Sequence, residues 1–390
     1  MRGKGEGSLY KRASDGLWVA TVELPPGPDG KRRKKTVTSK QKAVVMKRLA
    51  ELRKELERGG DLPTASQTLE SWLTYWLDKV AAKRVRPTTL YTYRHQLESQ
   101  VIPVLGKVRL DKLTPAHVRR LHDAMSDAGL SSTYALTTHR LLSKALTDAV
   151  RDGRVGRNVA SLVDAPSLGR SDAEALDVAE ARVVLDYARA SLASDAYDPG
   201  PVLWATYLLT GVRRSELLAL EWDRVTDEID LSWQLQRVKE MGSAPASFER
   251  RHLTGQLYLT RPKSRSGWRV LPLVEPLRSL LEDHRRRMPS NPYGLVFARQ
   301  DGQPIDPSRA SGAWKAWYTD VGLTTKHVPL HYLRHTHVDL LYSAGIDDDL
   351  KTELVGHSNR SMTQAYKTKG NRPRLTEAAE RVAALMSGDG

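Results

Sequence analysis

Five residues in the second half of the chain are of the types needed to break a phosphodiester without a metal ion. They are two arginines, two histidines and a tyrosine: Arg213, His331, Arg334, His357 and Tyr366. A tyrosine hydroxyl can attack phosphorus, and fixed cations can hold the charge that builds on the phosphoryl oxygens. A base or a positive field must activate the tyrosine, because a free phenol titrates near pH 10. The array predicts a transesterification at phosphate, with Tyr366 as the nucleophile.

The short segments around the two arginines predict how they are presented. Arg213 follows Gly211 at an expected turn into a helix, and Glu216 lies one helical turn further on, where it can orient the guanidinium. His331 and Arg334 are three residues apart on an expected helix, so both project from one face toward one phosphate. The competing interpretations are an ordinary surface arginine and an amphipathic helix with incidental polar residues.

Two further cations lie at expected turns. His357 follows Gly356 at a turn like those that start a helix, where it can donate to a phosphate oxygen. Lys263 lies in a loop between strand-like runs at 256–260 and 268–273, from which it can reach a leaving oxygen. The competing interpretation is a solvated basic loop, because three arginines are its neighbours: Arg261, Arg265 and Arg269.

The charge of the chain predicts a polyanionic partner. Its net charge is +15, and residues 1–60 hold 16 Lys and Arg against 7 Asp and Glu, a difference of +9. A merely basic protein would also have a high total, but it would rarely concentrate the charge in one segment.

Several classes of protein are excluded or disfavoured by the composition. The chain has no cysteine, which excludes disulfides, thiolate metal sites and a cysteine nucleophile. No apolar signal segment opens the chain, and no apolar run is long enough to span a bilayer. We therefore expect a cytoplasmic protein that has no membrane partner. No metal or organic cofactor is implied.

The N-terminal segment, residues 1–58, predicts a small basic domain. Residues 18–24 alternate like a strand, a turn cluster follows, and residues 31–37 form a second strand rich in cations. A helix is expected from Ser39 to about Arg58. A small sheet of this kind can enter a DNA groove, whereas the alternative is a charged hairpin with no ligand. The candidate DNA contacts are Arg32, Arg33, Lys34, Lys35 and, in the lysine loop, Arg265.

Two linkers divide the rest of the chain. Residues 66–165 show the spacing of buried helical stripes, and residues 172–390 mix helical and strand-like patterns. The expected fold class is multidomain α+β. It combines a small sheet-and-helix N-terminal domain, an all-helical domain and a mixed, mostly helical domain with a small antiparallel sheet. The amphipathic stretch 375–385 is expected to dock on a neighbouring protomer; the alternative is that it packs on its own domain.

Together these pieces resemble the tyrosine recombinase family, the phage-integrase type. The motifs that carry the resemblance are Thr210–Trp222, the His331–Arg334 helix, Gly356-His357 and Tyr366. The departures are small, such as Val212 where the family usually has leucine or methionine, and Met362-Thr363 where a threonine pair is frequent. Residues 66–165 are similar to the family's core-binding domain, and residues 1–58 look like its arm-type DNA-binding domain.

The resemblance implies a role for each of these residues. Tyr366 forms a 3′-phosphotyrosyl link, Arg213 and Arg334 bind the non-bridging oxygens, and His331 assists proton transfer. His357 hydrogen-bonds the phosphate, Lys263 is the general acid for the 5′ oxygen, and Glu216 is a supporting residue.

The function implied by the resemblance is that of a site-specific DNA recombinase, an integrase of a phage or other mobile element. Four protomers would act on double-stranded attachment sites of core and arm type through a Holliday junction, with a host DNA-bending factor and an excisionase as further partners. The alternatives are a type IB-like topoisomerase and a non-catalytic DNA-binding regulator. A separate basic N-terminal domain favours recombination over relaxation, and the complete set of active-site residues argues against a regulator.

Overall fold

The computed structural model describes residues 8–25, 32–59, 67–244, 247–262, 268–356 and 372–387. The chain divides into two compact units, Met1–Arg170 and Ser171–Gly390. The three-domain division at 1–58, 66–165 and 172–390 stays a prediction. No helix among the described residues has the length and apolar character needed to cross a membrane.

The first unit begins with a three-stranded antiparallel sheet and one helix. The elements are β1 (Ser8–Lys11), β2 (Trp18–Leu24), β3 (Arg33–Ser39) and α1 (Lys42–Gly59), with β2 in the centre of the sheet. Alternate residues of β2 point to one face, so Ala20 and Val22 pack against Val45 and Leu49 of α1. The small sheet-and-helix arrangement expected from the alternation is present.

The rest of the first unit is helical. Its helices are α2 (Leu69–Tyr75), α3 (Pro87–Gln96), α4 (Ile102–Leu105), α5 (Pro115–Asp127) and α6 (Ser132–Arg151). The core includes Trp72 and Trp76, which are fully buried, as expected of a helical stripe. The indole N–H of Trp76 donates to Asp148 Oδ2 at 2.8 Å, because a buried polar atom needs a partner.

The second unit contains eight α-helices, two short 3₁₀ helices and five short strands among its described residues. The helices are α7 (Val178–Ser191), α8 (Gly200–Thr210), α9 (Arg214–Leu217), α10 (Leu277–Arg287), α11 (Pro307–Asp320), α12 (Tyr332–Ser343), α13 (Asp348–Val355) and α14 (Arg372–Ser387). The strands are β4 (Glu228–Asp230), β5 (Gln234–Arg237), β6 (Arg250–Thr254), β7 (Leu257–Thr260) and β8 (Val270–Pro272). The expected multidomain α+β class is confirmed.

The strands of the second unit form two sheets where the sequence predicted one. β4 pairs with β8, and β7 lies between β5 and β6, all antiparallel. The two strands that precede and follow Lys263 are β7 and β8, and they pair with other strands in different sheets. The sequence pattern identified both strands, but it carried no information about their partners.

Helix α8 is the centre of the second unit. Nearly every residue from Pro201 to Thr210 is buried, so this helix is apolar all round and packs against α7, α10, α11 and α12. Because α8 is packed on all sides, the residues that follow its C-terminus have a fixed position in the fold.

Helix α14 packs on its own unit in this structure. Leu375, Ala378 and Val382 are buried in the core of the unit, and the guanidinium of Arg182 donates to the Leu385 carbonyl oxygen at 2.8 and 3.1 Å. This is the alternative that the sequence left open, and docking on a neighbouring protomer stays a prediction.

Candidate active site

The turn after α8 fits only a glycine. Gly211 ends the helix in the left-handed region, with φ of 57°, and its N–H donates to the Tyr207 carbonyl oxygen at 2.9 Å. A Cβ at this position would lie 2.4 Å from Cδ2 of His337. Helix α12 therefore packs directly on the backbone of the turn that leads to Arg213.

Arg213 is held by the carboxylate of Glu216. The backbone N–H of Arg213 donates to Oε2 at 2.9 Å, and its Nη1 donates to Oε1 at 2.8 Å. The Glu216 side chain is 0% exposed, whereas the Arg213 side chain is 41% exposed. Burial alone would raise the pKa of Glu216, but Arg269 and Arg213 outweigh it and the pKa lies below its usual value. Glu216 is therefore an anion that orients a cation facing solvent.

Arg334 is anchored to the same turn. Its Nη1 donates to the Gly211 carbonyl oxygen at 2.7 Å. Burial, together with the nearby charges of Arg213 and Arg269, lowers the pKa of Arg334 to about 10, so the guanidinium remains charged at neutral pH. Arg213 and Arg269 both bind the Glu216 carboxylate, and Arg334 binds the backbone two residues before Arg213, so the structure brings the two sequence-predicted arginines together.

His331 lies at the N-terminus of α12, one turn before Arg334, and it is exposed. Partial burial lowers the pKa of its imidazole, and the neighbouring His335 and Arg214 act in the same direction. A neutral imidazole at this place can accept a proton.

His337 is buried beneath the turn. Its Nδ1 lies 2.9 Å from the Leu208 carbonyl oxygen, to which it donates, and burial lowers its pKa to about 4. The ring is therefore neutral, and its role is to pack against the Gly211 turn.

Arg269 is a site residue that the sequence did not predict. Its side chain is 7% exposed and not part of a solvated basic loop, so that interpretation is wrong for this arginine. Its Nη2 donates to Glu216 Oε2 at 3.1 Å. The only available signal was its position two residues inside a strand-like run, because its partner Glu216 lies 53 residues away in the sequence.

The C-terminal end of α13 binds Arg213 and Arg269 through its carbonyl groups. Gly356 ends this helix in the left-handed region, with φ of 74°, and its carbonyl oxygen accepts from Arg213 Nη2 at 3.0 Å. Two residues earlier, the Leu354 carbonyl oxygen accepts from Arg269 Nε at 3.0 Å. The last carbonyl groups of a helix lack partners within the helix, so the two arginines satisfy them.

Four sequence-predicted residues lie outside the described residues: Lys263, Arg265, His357 and Tyr366. Arg261 and Trp268, which flank the lysine loop, stack together, and Trp233 joins them. The guanidinium carbon of Arg261 lies 4.1 Å from the ring centroid of Trp233 and 4.7 Å from that of Trp268.

The candidate DNA contacts in β3 alternate between the two faces of the sheet. Lys34 pairs with Glu23, whereas Lys35 pairs with Val22 and Arg33 with Leu24. Directly opposed residues share a face, so Arg33 and Lys35 lie on the face covered by α1 and are half-buried. Lys34 lies on the open face, and Arg32, just before the strand, is also exposed.

In the second unit, two guanidinium groups are thus arranged around one turn, with a buried carboxylate that fixes the first of them, and the imidazole of His331 lies one helical turn before the second. Such a set can bind a phosphate and stabilise charge on its oxygens. In the described ranges, no three His, Asp or Glu side chains are grouped so that they could hold a metal ion.

Two family models match the chain. The model described as the phage integrase family matches residues 186–371, and the model described as the phage integrase N-terminal SAM-like domain matches residues 68–126. The first covers the turn of Arg213, the α12 segment and Tyr366, and the second covers part of the helical region of the first unit.

Two proteins named integrase are similar to this chain over nearly their whole length. An integrase of Saccharopolyspora erythraea is 27% identical, over 93% of this chain and 92% of its own length. An integrase of Streptomyces ambofaciens is 29% identical, over 97% of this chain and 96% of its own.

Solved structures share the fold. The Tn1549 transposon integrase in complex with a circular intermediate DNA has a TM-score of 0.62 and 20% identity, over 80% of this chain and 100% of that one. A lambda integrase tetramer bound to a Holliday junction has a TM-score of 0.54 and 16% identity, over 91% and 96% of the two chains. The expected family is confirmed, as is the expected class of activity, the breaking and rejoining of DNA strands. The chain belongs to the phage integrase family, the tyrosine recombinases.

Proposed function

We propose that this recombinase cleaves duplex DNA at defined sites through a 3′-phosphotyrosyl link at Tyr366, and that it integrates and excises a phage or other mobile element. The proposal rests above all on one observation. Arg213 and Arg334 are both held by the turn at Gly211–Glu216, where their charges repel each other. Two cations held together in this way are stabilised when an anion binds between them.

The two arginines bind the non-bridging oxygens of the scissile phosphate. Arg213 faces solvent, and Nη2 of Arg334 is a buried donor without a hydrogen-bond partner in the described part of the chain. A donor of this kind costs free energy until an acceptor arrives. Replacing either arginine with alanine should slow cleavage by about 100- to 1000-fold, the usual loss for one such donor.

Proton transfer is assigned to His331 and Lys263, and a further hydrogen bond to His357. The Tyr366 oxygen bonds to phosphorus as its proton leaves, and the neutral His331 assists that transfer. The bond to the 5′ oxygen breaks, and that oxygen takes a proton from Lys263. His357 donates a hydrogen bond to the phosphate. The phosphotyrosyl bond retains the energy of the diester, so the reverse attack reseals the strand without ATP.

The nucleophile is tested with a duplex nicked close to the scissile phosphate, because the fragment released beyond the cut diffuses away and traps the covalent product. Tyr366→Phe should bind this DNA like the unmodified protein and form no covalent product. Tyr342→Phe is the matched control, because Tyr342 is 58% exposed on α12 and should be dispensable. A covalent product that persists in Tyr366→Phe would show that another residue attacks.

The general acid is tested by changing the leaving group. Sulfur in place of the bridging 5′ oxygen leaves as a thiolate, which needs no proton because a thiol titrates near pH 8.5. Lys263→Ala should be slow on normal DNA and close to the unmodified protein on the sulfur substrate. Equal slowing on both substrates would remove Lys263 from this role.

The assembly on DNA is proposed from the relatives. A tetramer on a Holliday junction is the arrangement named for lambda integrase, and we propose the same for this chain. We also propose that residues 1–58 bind arm sites, and that a host bending factor and an excisionase act with the protein. Footprints on attachment-site DNA should lose only the arm regions when residues 1–58 are removed; unchanged footprints would refute the arm assignment. Exchange between two sites, rather than relaxation of any supercoiled plasmid, separates this function from that of a topoisomerase.

A further inference from the structure

We propose that Arg269 is a positioning residue for DNA cleavage, which fixes the Glu216 carboxylate and the end of α13 and through both sets the guanidinium of Arg213. The inference rests on the proposed function, because it assumes that Arg213 binds the phosphate. It adds a residue outside the set of six catalytic residues predicted from the sequence.

The first support is the burial of two opposite charges. The side chains of Arg269 and Glu216 are 7% and 0% exposed, and their contact distance is 3.1 Å. Burial lowers the pKa of Arg269, and Glu216 acts in the opposite direction. An unpaired charge at this depth would be strongly destabilising, so each of these groups constrains the other.

The second support is the way the carboxylate is shared. Glu216 Oε2 accepts from the Arg213 backbone N–H and from Arg269 Nη2, and Oε1 accepts from Arg213 Nη1. Arg213 alone could move together with the carboxylate, because both belong to one short turn. Arg269 directly precedes β8, which is distant from this turn in the sequence, and its bond to Glu216 therefore connects the turn to another part of the unit.

The third support lies at the end of α13. Arg269 Nε donates to the Leu354 carbonyl oxygen, and Arg213 Nη2 donates to that of Gly356, each at 3.0 Å. A Cβ at Gly356 would lie 2.9 Å from Arg269 Nη1, so the guanidinium packs directly on this backbone. Arg213 is therefore held at two points, Glu216 and the end of α13, and Arg269 holds both.

Removing Arg269 should misplace Arg213 without removing it. Arg269→Met keeps most of the side-chain volume and loses both hydrogen bonds, to Glu216 and to the Leu354 carbonyl oxygen. A phosphate ligand displaced by a fraction of an ångström costs about 10- to 100-fold in rate. We expect a loss of that size in the single-turnover cleavage rate at saturating DNA, with DNA affinity unchanged. Arg269→Lys keeps the charge next to Glu216 and should recover part of the rate.

Arg251→Met is the matched control. Arg251 also pairs with a buried glutamate, Glu221, which keeps Arg224 as a second partner just as Glu216 would keep Arg213. The same chemical change, made at an ion pair that shares no carboxylate with Arg213, Arg269 or Arg334, should leave the cleavage rate within about threefold of the unmodified protein, as expected for sites that do not interact.

The decisive measurement is a double-mutant cycle on the nicked duplex. If Arg269 acts through Arg213, adding Arg269→Met to Arg213→Ala should slow cleavage by less than about threefold further. A full further loss of 10- to 100-fold would show independent action and overturn the inference. A rate for Arg269→Met equal to that of the unmodified protein would also overturn it.

The same cycle separates the inference from the proposed function. If Arg213→Ala alone cleaves at the normal rate, the role of Arg213 is wrong, whatever Arg269 does. If Arg269→Met lacks a cooperative melting transition, the cycle is run with Arg269→Lys. That variant keeps a cation beside the buried Glu216, and the same criterion applies.

Discussion

Gly211 holds the arginine turn in place, and Gly211→Ala tests how tightly. The left-handed backbone costs an L-residue about 1–2 kcal/mol. The new Cβ would lie 2.4 Å from Cδ2 and 2.8 Å from Cγ of His337, within a packed core, and forcing carbon into such a core costs about 1–3 kcal/mol. The variant should therefore lose about 2–5 kcal/mol of unfolding free energy.

Gly322→Ala separates the two costs. Gly322 has nearly the same φ, 61°, but nothing lies within 4 Å of its Cβ position. It should lose only the backbone share, so the two variants should differ by about 1–3 kcal/mol. For a domain of this size that corresponds to about 2–12 °C in melting temperature.

The assay is thermal unfolding of the full chain followed by circular dichroism, together with single-turnover cleavage at a temperature below both transitions. Cleavage by Gly211→Ala should fall at least tenfold, because the Gly211 carbonyl oxygen anchors Arg334 and small displacements are costly in rate. Gly322→Ala should cleave normally. Equal decreases in melting temperature for the two variants would refute the claim that His337 leaves no room for a Cβ at Gly211.

Three further outcomes are expected. Burial lowers the pKa of His337 from 6.5 to about 4, so the neutral ring stabilises the fold above pH 6.5. This contribution of about 3 kcal/mol to the unfolding free energy is lost as the pH falls to 4. His337→Gln lacks the titrating group, so its unfolding free energy should fall by about 3 kcal/mol less over the same pH range. Asp148→Ala removes the acceptor of the buried Trp76 N–H and should lower the unfolding free energy by about 1–3 kcal/mol, whereas Asp148→Asn, which keeps an acceptor oxygen, should lower it less. Lys34→Ala should reduce the slope of log affinity against log salt for arm-site DNA by about 0.9, the value for one lost phosphate contact, and an unchanged slope would remove Lys34 from the interface.

Local patterns in the sequence were enough to predict many of the elements of this fold, although the short strands β4, β5 and β6 were missed. The alternation of residues 18–24 predicted β2, and the helical spacing around Trp72 and Trp76 predicted a buried stripe. These signals are local, because side chains point in directions set by the backbone period alone. The pairings of β7 with β5 and of β8 with β4 join strands that are not neighbours in the chain, so local patterns could not predict them.

The sequence alone determined the types of the reacting groups and the family. Residue types and short spacings are written in the chain, and they identified Arg213, Glu216 and Arg334 as candidates. Only the tertiary structure decided what holds them. The contact of Arg269 with Glu216, the packing of His337 against Gly211 and the closure of the site by α13 join segments 53, 126 and 143 residues apart. Contacts at such separations depend on how whole elements pack, because no local period or propensity encodes them.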